Sequence, residues 1–184
     1  MGLVQTTEKL DAMGRSLENF FWFISPESFY TQHAKDPDAC DFTFGNPHEP
    51  VVPGFTAVLQ RWAQPQSADW YAYKQDEHSA RQAAAEGLTR FHGVRFDASD
   101  IHLTNGAFGG LYAALRLAAG PGDEVIFISP PWFFYEAMIL DAGATPVRVK
   151  IDPHSFDLDL EAIAAAITPH TRAVIINSPN NPTG

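Results

Sequence analysis

The sequence is poor in cysteine and in basic residues. Cys40 is the single cysteine among 184 residues, so no disulfide can form within the chain, and a reducing compartment, the cytoplasm, is expected. Lysine and arginine together number 12 against 22 aspartates and glutamates, which gives a formal net charge of -10. Because nucleic-acid binding depends largely on clustered lysine and arginine, this balance argues against a nucleic-acid partner.

Long apolar runs are also missing. The stretch FFWFI, from Phe20 to Ile24, is much shorter than the roughly 20 apolar residues that a membrane-spanning helix needs. It follows the acidic Glu18 instead of a basic segment, so it lacks the pattern of a secretion signal. We therefore expect no membrane partner, and we interpret the stretch as a helix end that packs on the core.

Several motifs of catalysis and ligand binding do not occur. The seven histidines form no HExxH and no pair spaced by four, and Cys40 has no CxxC partner, so we expect no metal site. The dinucleotide fingerprint GxGxxG, the phosphate loop GxxxxGK[ST] and the nucleophile elbow GxSxG are absent too. Nothing in the chain predicts a self-sufficient nucleophile.

From residue 100 onward, strands and helices alternate. The almost wholly apolar run EVIFIS is typical of a strand buried on both faces, and Gly120 and Gly143 are placed to end helices. Strands are predicted at 100–104, 124–129, 145–151 and 172–178, and helices at 111–120, 130–143 and 158–167. This alternation predicts βαβ units, and hence an α/β fold with a mainly parallel sheet.

The first hundred residues are predicted to be mostly helical. Apolar residues at helical spacing predict helices over 6–24, 55–62 and 76–92. Between the first two, DFTFGNPHEPVVPG (41–54) predicts a short strand and then a loop rich in proline and glycine. That loop is the best candidate for an internal boundary.

Three predicted loops follow strands, and ligands of open parallel sheets bind beyond the carboxyl ends of the strands. These loops are 104–109, 129–135 and 177–184. In the first, Gly106 and Ala107 leave backbone N–H groups open at a helix N-terminus, where a phosphate can bind. A plain turn capped by Thr104 or Asn105 would give the same pattern.

The other two loops each offer a side chain suited to a flat ligand with polar substituents. Trp132 lies just past the apolar strand, where it could stack on a ring or belong to the core. The Asn181 amide could donate to a phenolate-type oxygen, although Asn-Pro sequences commonly form turns.

Taken together, these segments resemble the class I/II aminotransferases, which are pyridoxal-phosphate enzymes of fold type I. The closing NNPTG matches the family's Asn-Pro-Thr-Gly motif. The run from TNGAFGG through PGDEVIFISPPWFFY to PVRV follows the family's order of phosphate loop, helix, turn, strand and stacking aromatic. YAYKQDEHSARQAAA and FTFGNP resemble its upstream tyrosine segment and its substrate-side glycine loop, so the similarity covers nearly all of residues 40–184.

The resemblance implies the three-layer, mainly parallel α/β large domain of fold type I, incomplete here and preceded by a helical arm. Residues 1–45 would form the N-terminal arm and the start of the small domain. Residues 46–184 would form the first half of the domain that binds pyridoxal 5'-phosphate. Since sites of this family are shared between two subunits, a homodimer is expected.

The resemblance also implies roles for individual residues. The backbone of Gly106, Ala107 and Phe108 would hold the cofactor phosphate, although many relatives carry a hydroxyl residue where Phe108 stands. Trp132 would stack on the pyridine ring, and Asn181 would hydrogen-bond its hydroxyl oxygen.

Two further assignments concern the segment upstream. Tyr71 would reach the phosphate of the neighbouring subunit, and Gly45 would line the pocket near the substrate carboxylate. Asp76 and Ala80 stand where the family has glycine and leucine, which makes Tyr73 an alternative to Tyr71.

The activity implied is the transfer of an amino group from an amino acid to a 2-oxo acid. In this family the lysine that carries the cofactor follows the Asn-Pro-Thr-Gly motif, as do the aspartate and arginine of the site. No catalytic residue is therefore expected within 1–184, and the four lysines, Lys9, Lys35, Lys74 and Lys150, match no such motif. We expect this stretch alone to be inactive.

Two alternatives stay open. The same scaffold serves pyridoxal-phosphate lyases, decarboxylases and cyclopropane-forming synthases, whose reaction is set by later residues. If the chain ends at residue 184, it would instead be a non-enzymatic binding module.

Overall fold

The computed structural model describes residues 2–45, 49–73 and 77–184, which form two compact units, Met1–Ala39 with Asn105–Gly184, and Cys40–Thr104. The helices are α1 Gly2–Ser16, α2 Glu18–Phe23, α3 Phe29–His33, α4 Phe55–Ala63, α5 His78–His92, α6 Gly106–Ala118, α7 Phe134–Ala142 and α8 Leu160–Ala166. The strands are β1 Glu124–Ser129, β2 Thr145–Lys150 and β3 Thr171–Ile175. Lys74, Asp76 and the Asn-Pro of FTFGNP lie outside the described residues, and the predicted division between residues 45 and 46 stays a prediction.

The sheet of the first unit is parallel and has β1 at its centre. Its strand order is β2-β1-β3, and β1 pairs in parallel with both neighbours. The register with β2 runs without interruption from Glu124 opposite Thr145 to Ser129 opposite Lys150. The four middle residues of β1 are buried, as expected of a strand covered on both faces. The predicted parallel α/β fold is confirmed.

Helices cover both faces of this sheet. On one face, Val125 and Phe127 pack with Leu115 of α6 and Ile139 of α7. On the other, a second cluster joins Ile126, Ile128, Val149 and Ile151 to α8, which contributes Ala162, Ile163 and Ala166. This arrangement is the three-layer architecture that the resemblance implied. Burying each large apolar side chain of β1 stabilises the fold by about 1.5–3 kcal/mol.

The N-terminal helix α1 packs on α7, where charges from three helices meet at one carboxylate. Asp141 of α7 accepts from Lys9 of α1 at 3.0 Å and from Arg116 of α6 at 2.7 Å. Partial burial would by itself raise the pKa of Asp141, but hydrogen bonds from Tyr112, Lys9 and Arg116 outweigh it and lower the pKa to about 2. Asp141 therefore stays charged and holds the three helices together.

The helix predicted over 6–24 is two helices in the structure, with Leu17 between α1 and α2. The Ser16 hydroxyl donates to the main-chain oxygen of Met13 at 2.7 Å, and such a bond competes with the backbone bonds of a continuous helix. Past the break, Ser28 caps α3 by accepting from the Thr31 N–H at 3.1 Å. Within the described part of the chain, every helix is too short or too polar to cross a bilayer.

The second unit is built around α4 and α5. Gly54 and Gly93, with φ of 85° and 69°, stand at the start of α4 and the end of α5, where the backbone takes a left-handed turn that favours glycine. The segment after α5 folds back onto it, since Arg81 Nε donates to the Ala98 oxygen at 2.8 Å.

Two predicted strands are wrong. The segments 41–44 and 100–104 are not strands, because the sheet that the structure describes consists of β1, β2 and β3. Gly120 stands just past the extended Ala119 that ends α6, which is the predicted C′ position, but it does not take the left-handed conformation; its N–H donates to the Asp123 carboxylate at 3.0 Å. Gly143, with φ of 86°, does end α7 as predicted.

Replacement of Asp141 tests the junction of α1, α6 and α7. Asp141→Asn should lower the free energy of unfolding by about 1–2 kcal/mol at pH 7, because it removes the carboxylate that pairs with Lys9 and Arg116. The loss is no larger because both basic side chains are partly exposed to solvent. The folded pKa lies below the unfolded one, so the wild-type advantage is present above about pH 4 and lost as the pH falls towards 2.

Urea unfolding followed by circular dichroism at several pH values measures this difference. Asp11→Asn, on an exposed position of α1, is the matched control and should change little. A deficit of Asp141→Asn that stayed constant from pH 7 to pH 2 would contradict the assignment.

Candidate functional site

The N-terminus of α6 is exposed and open. Gly106 has φ of 73°, a Cβ added there would meet no atom within 4 Å, and Ala107 is exposed as well. Asn105 stands at the cap position, but its side chain makes no capping hydrogen bond. The first turn of this 13-residue helix carries the positive end of the helix dipole, which favours an anion at this exposed position.

Trp132 lies in the loop between β1 and α7 and is half-buried. It packs against the buried cluster beneath α6 and α7, so the core interpretation holds in part. Around it stand Phe108, Phe134 and Tyr135, with ring centroids at 5.6, 5.1 and 5.5 Å and interplanar angles of 84°, 71° and 75°. All three rings meet the indole edge-on. None of the three stacks parallel to it, as the ring of a flat ligand would.

The loop after β3 is fastened to the Trp132 loop by Asn180. Its amide Nδ2 donates to the Pro130 oxygen at 3.3 Å and to the Thr183 hydroxyl at 2.8 Å. The Asn180 main-chain oxygen also accepts from the Gly184 N–H at 2.7 Å, which closes the turn. The neighbouring Asn181 is exposed, so its amide is open to a ligand. Sequence reasoning missed Asn180, although the doubled asparagine was a visible signal.

The structure thus brings three predicted segments of the first unit together. Phe108 joins the start of α6 to Trp132, and Asn180 joins the last loop to Pro130. Two of the loops meet because β1 and β3 are parallel neighbours whose carboxyl ends lie at one edge. The prediction that the first loop also follows a strand of this sheet is wrong; α6 is placed instead by its packing on α7 and β3.

Tyr71 and Gly45 belong to the other unit, and their predicted roles stay predictions. Tyr71 is exposed, and its hydroxyl donates to the main-chain oxygen of Ala63 at the end of α4. Beside it, the Trp70 indole donates to the Trp62 oxygen at 3.2 Å. These two bonds satisfy carbonyls that the helix end leaves open, and they fix the tyrosine segment to α4. Gly45 is exposed, as is the alternative, Tyr73.

A cavity of about 210 Å³ adjoins the same loop from the α8 side of the sheet. Its wall is partly apolar, with Ile128, Ile151 and Phe156, and partly polar, with Asn180 and Thr183. Phe156 takes a left-handed conformation, with φ of 61°, which is unusual for a bulky residue. The cavity therefore borders the last loop.

The residues of this edge fit a phosphorylated aromatic ring. The open start of α6 suits a phosphate, and the half-buried indole nearby suits the face of a ring. The exposed Asn181 amide, on a loop tied to the indole's own loop, suits a hydroxyl or phenolate oxygen.

Comparison with known proteins agrees with this arrangement. Residues 40–184 match the model of the family described as aminotransferase class I and II. An aspartate/prephenate aminotransferase from Thermus thermophilus is 40% identical over 105 residues, which cover 56% of this chain and 27% of that protein. An arginine–pyruvate transaminase from Pseudomonas aeruginosa is 39% identical over 115 residues, covering 62% and 29%.

Among solved structures, an amino transferase from Eubacterium rectale superposes with a TM-score of 0.73 at 27% identity. The match covers 97% of this chain and 45% of that one. This chain thus spans less than half the length of each of these relatives. With the family model matched over residues 40–184 and the fold shared, the chain belongs to the class I and II aminotransferase family.

Proposed function

We propose that the protein containing this chain is a pyridoxal-phosphate-dependent aminotransferase, which moves an amino group from an amino acid to a 2-oxo acid. The observation that carries the proposal is the meeting of three segments at one edge of the sheet: the open start of α6, Trp132 and the loop of Asn181. Family membership supports the same reaction class.

The start of α6 would hold the cofactor phosphate. The N–H groups of Gly106, Ala107 and Phe108 lie in the first turn, where the helix dipole favours an anion. The φ of 73° at residue 106 favours glycine at this turn. Phe108 supplies no hydroxyl, so the backbone alone would make these contacts.

Trp132 and Asn181 would hold the ring. The indole would stack on one face of the pyridine, and the Asn181 amide would donate to the ring hydroxyl oxygen and favour its ionised form. When bound, the cofactor supplies an electron sink for the bond that breaks at the substrate's α-carbon. The chain's own residues orient the ring and hold its charge, and we assign no proton transfer to any of them.

The remaining assignments also belong to this proposal. Tyr71 would contact the phosphate of the neighbouring subunit in a homodimer, and Gly45 would lie near the substrate carboxylate. Residues 1–45 would form the arm and the start of the small domain, and 46–184 part of the large domain. Cys40, the single cysteine of these 184 residues, is an exposed free thiol, which suits a reducing compartment such as the cytoplasm.

Product analysis on the protein expressed from its whole reading frame tests the reaction. We expect the cofactor-loaded protein to consume amino acids only when a 2-oxo acid acceptor is present, with the new amino acid formed in equal amount. Release of ammonia or carbon dioxide without an acceptor would contradict amino-group transfer and favour a lyase or a decarboxylase.

Removal of the Trp132 ring should weaken cofactor binding. Trp132→Ala should lower the affinity for pyridoxal phosphate about threefold to tenfold, the loss expected for one aromatic stack, while Trp132→Phe should recover most of it. Trp22→Phe, at an exposed position of α2, is the matched control. Equilibrium titration followed by cofactor absorbance measures the affinities; equal values for Trp132→Ala and the wild type would refute the stacking role.

The two neighbouring asparagines should act differently. Asn181→Ala should shift the absorbance of the bound cofactor, because a hydrogen bond to the ring oxygen is lost. Asn180→Ala should leave the absorbance maximum in place and lower the affinity a few-fold, since it releases the loop from Pro130 at a cost of about 1 kcal/mol. Absorbance spectra and titrations of both variants separate the roles, and identical effects in both would contradict this division.

A further inference from the structure

The aromatic cluster around Trp132 extends into the N-terminal arm. Phe20 of α2 stacks on Phe133, with ring centroids at 4.4 Å and an interplanar angle of 13°, and it also touches Phe134 at 5.8 Å. Phe134 in turn meets Trp132 at 5.1 Å and Phe108 at 5.2 Å. An unbroken series of ring contacts therefore runs from α2 to both predicted cofactor segments.

Phe20 packs onto this loop, whereas the other half-buried aromatic residue of α2, Phe23, stacks on Tyr30. Phe20 is half-buried, whereas the side chains of Phe21 and Trp22 are 53% and 64% exposed. The position of α2 is itself fixed, because α1 packs on α7 through Lys9 and Asp141, and the break at Leu17 redirects the chain.

The loop that carries Trp132 is held from two sides. On the inner side, Tyr135 and Ile139 of α7 are buried in the core and fix the start of that helix. On the outer side, the face of the Phe133 ring is covered by Phe20. Without Phe20, the Phe133 ring would keep only its tilted contacts with Trp132 at 6.0 Å and Phe134 at 4.5 Å, and the indole could rotate more freely.

We infer that Phe20 is a positioning residue for Trp132: by stacking on Phe133 it fixes the plane of the indole. This makes the N-terminal arm part of the ring-binding site, a role that rests on the proposed function. Phe20 touches neither reacting atoms nor the phosphate site; it acts through Phe133 and Phe134.

The first test needs no cofactor. The near-ultraviolet circular dichroism of Trp132 is obtained as the difference between each protein and the same protein carrying Trp132→Phe, because the chain holds 4 tryptophans. Phe20→Leu, which keeps an apolar side chain but removes the ring, should reduce the Trp132 signal by about half or more. Phe20→Tyr keeps the stack and should preserve it.

The matched control is Phe29→Leu. Phe29 is an exposed arm residue whose ring stacks on His33 at 4.0 Å, so its loss should leave the Trp132 signal unchanged. Phe133→Leu removes the other half of the stack. It should reproduce the effect of Phe20→Leu, and the double variant should add little, since both single changes remove the same contact.

The second test measures ring binding. Pyridoxamine 5'-phosphate is the probe, because it lacks the aldehyde and does not react with lysines. Quenching of tryptophan fluorescence should show about threefold to tenfold weaker binding by Phe20→Leu and wild-type binding by Phe20→Tyr and Phe29→Leu.

The outcomes are distinguishable. A Trp132 signal and an affinity unchanged in both Phe20→Leu and Phe133→Leu would overturn the inference. If Phe20→Leu alters the Trp132 signal but no protein, the wild type included, binds the probe, then the positioning role stands and the proposed cofactor site fails. If Phe20→Leu fails to fold, Phe133→Leu and Phe20→Tyr decide the question by the same two readouts.

Discussion

The burial of β1 on both faces is the constraint on which the rest of the first unit depends. Because Val125 and Phe127 face α6 and α7 while Ile126 and Ile128 face the layer of α8, a register shift of one residue would exchange these two sets between the layers and disrupt the packing of both clusters. Its parallel pairing with β2 and β3 then brings the strand ends to one edge. Trp132 follows β1 and the last loop follows β3, so both lie at that edge of the sheet.

Two kinds of contact complete the candidate site. Ring contacts join Phe108, on the first turn of α6, to Trp132, and a hydrogen bond from Asn180 joins the last loop to Pro130. The aromatic contacts provide a half-buried apolar surface, whereas the hydrogen bond of the amide is directional and fixes the orientation of the loop. A helix start, an indole and an exposed amide can then act on one flat, phosphorylated ligand.

Local signals in the sequence were enough for much of this architecture. The apolar run of β1, the alternation in β2 and the left-handed Gly143 are set by the residues themselves, so they were predicted correctly. Segments 41–44 and 100–104 were mispredicted because a strand depends on a partner that its own sequence does not specify. The break at Leu17 and the stack of Phe20 on Phe133 depend on particular side-chain contacts, which hydrophobic spacing does not encode. The motif resemblance pointed to Asn181, but geometry was needed to show that Asn180 ties the loop down.

A crystal structure of the whole protein with pyridoxal phosphate tests the central claim most directly. The account predicts the phosphate within hydrogen-bonding distance of the N–H groups at the start of α6, with the pyridine ring parallel to the Trp132 indole. Asn181, and not Asn180, should then reach the ring hydroxyl oxygen. A cofactor bound elsewhere, with this edge of the sheet empty, would contradict the account.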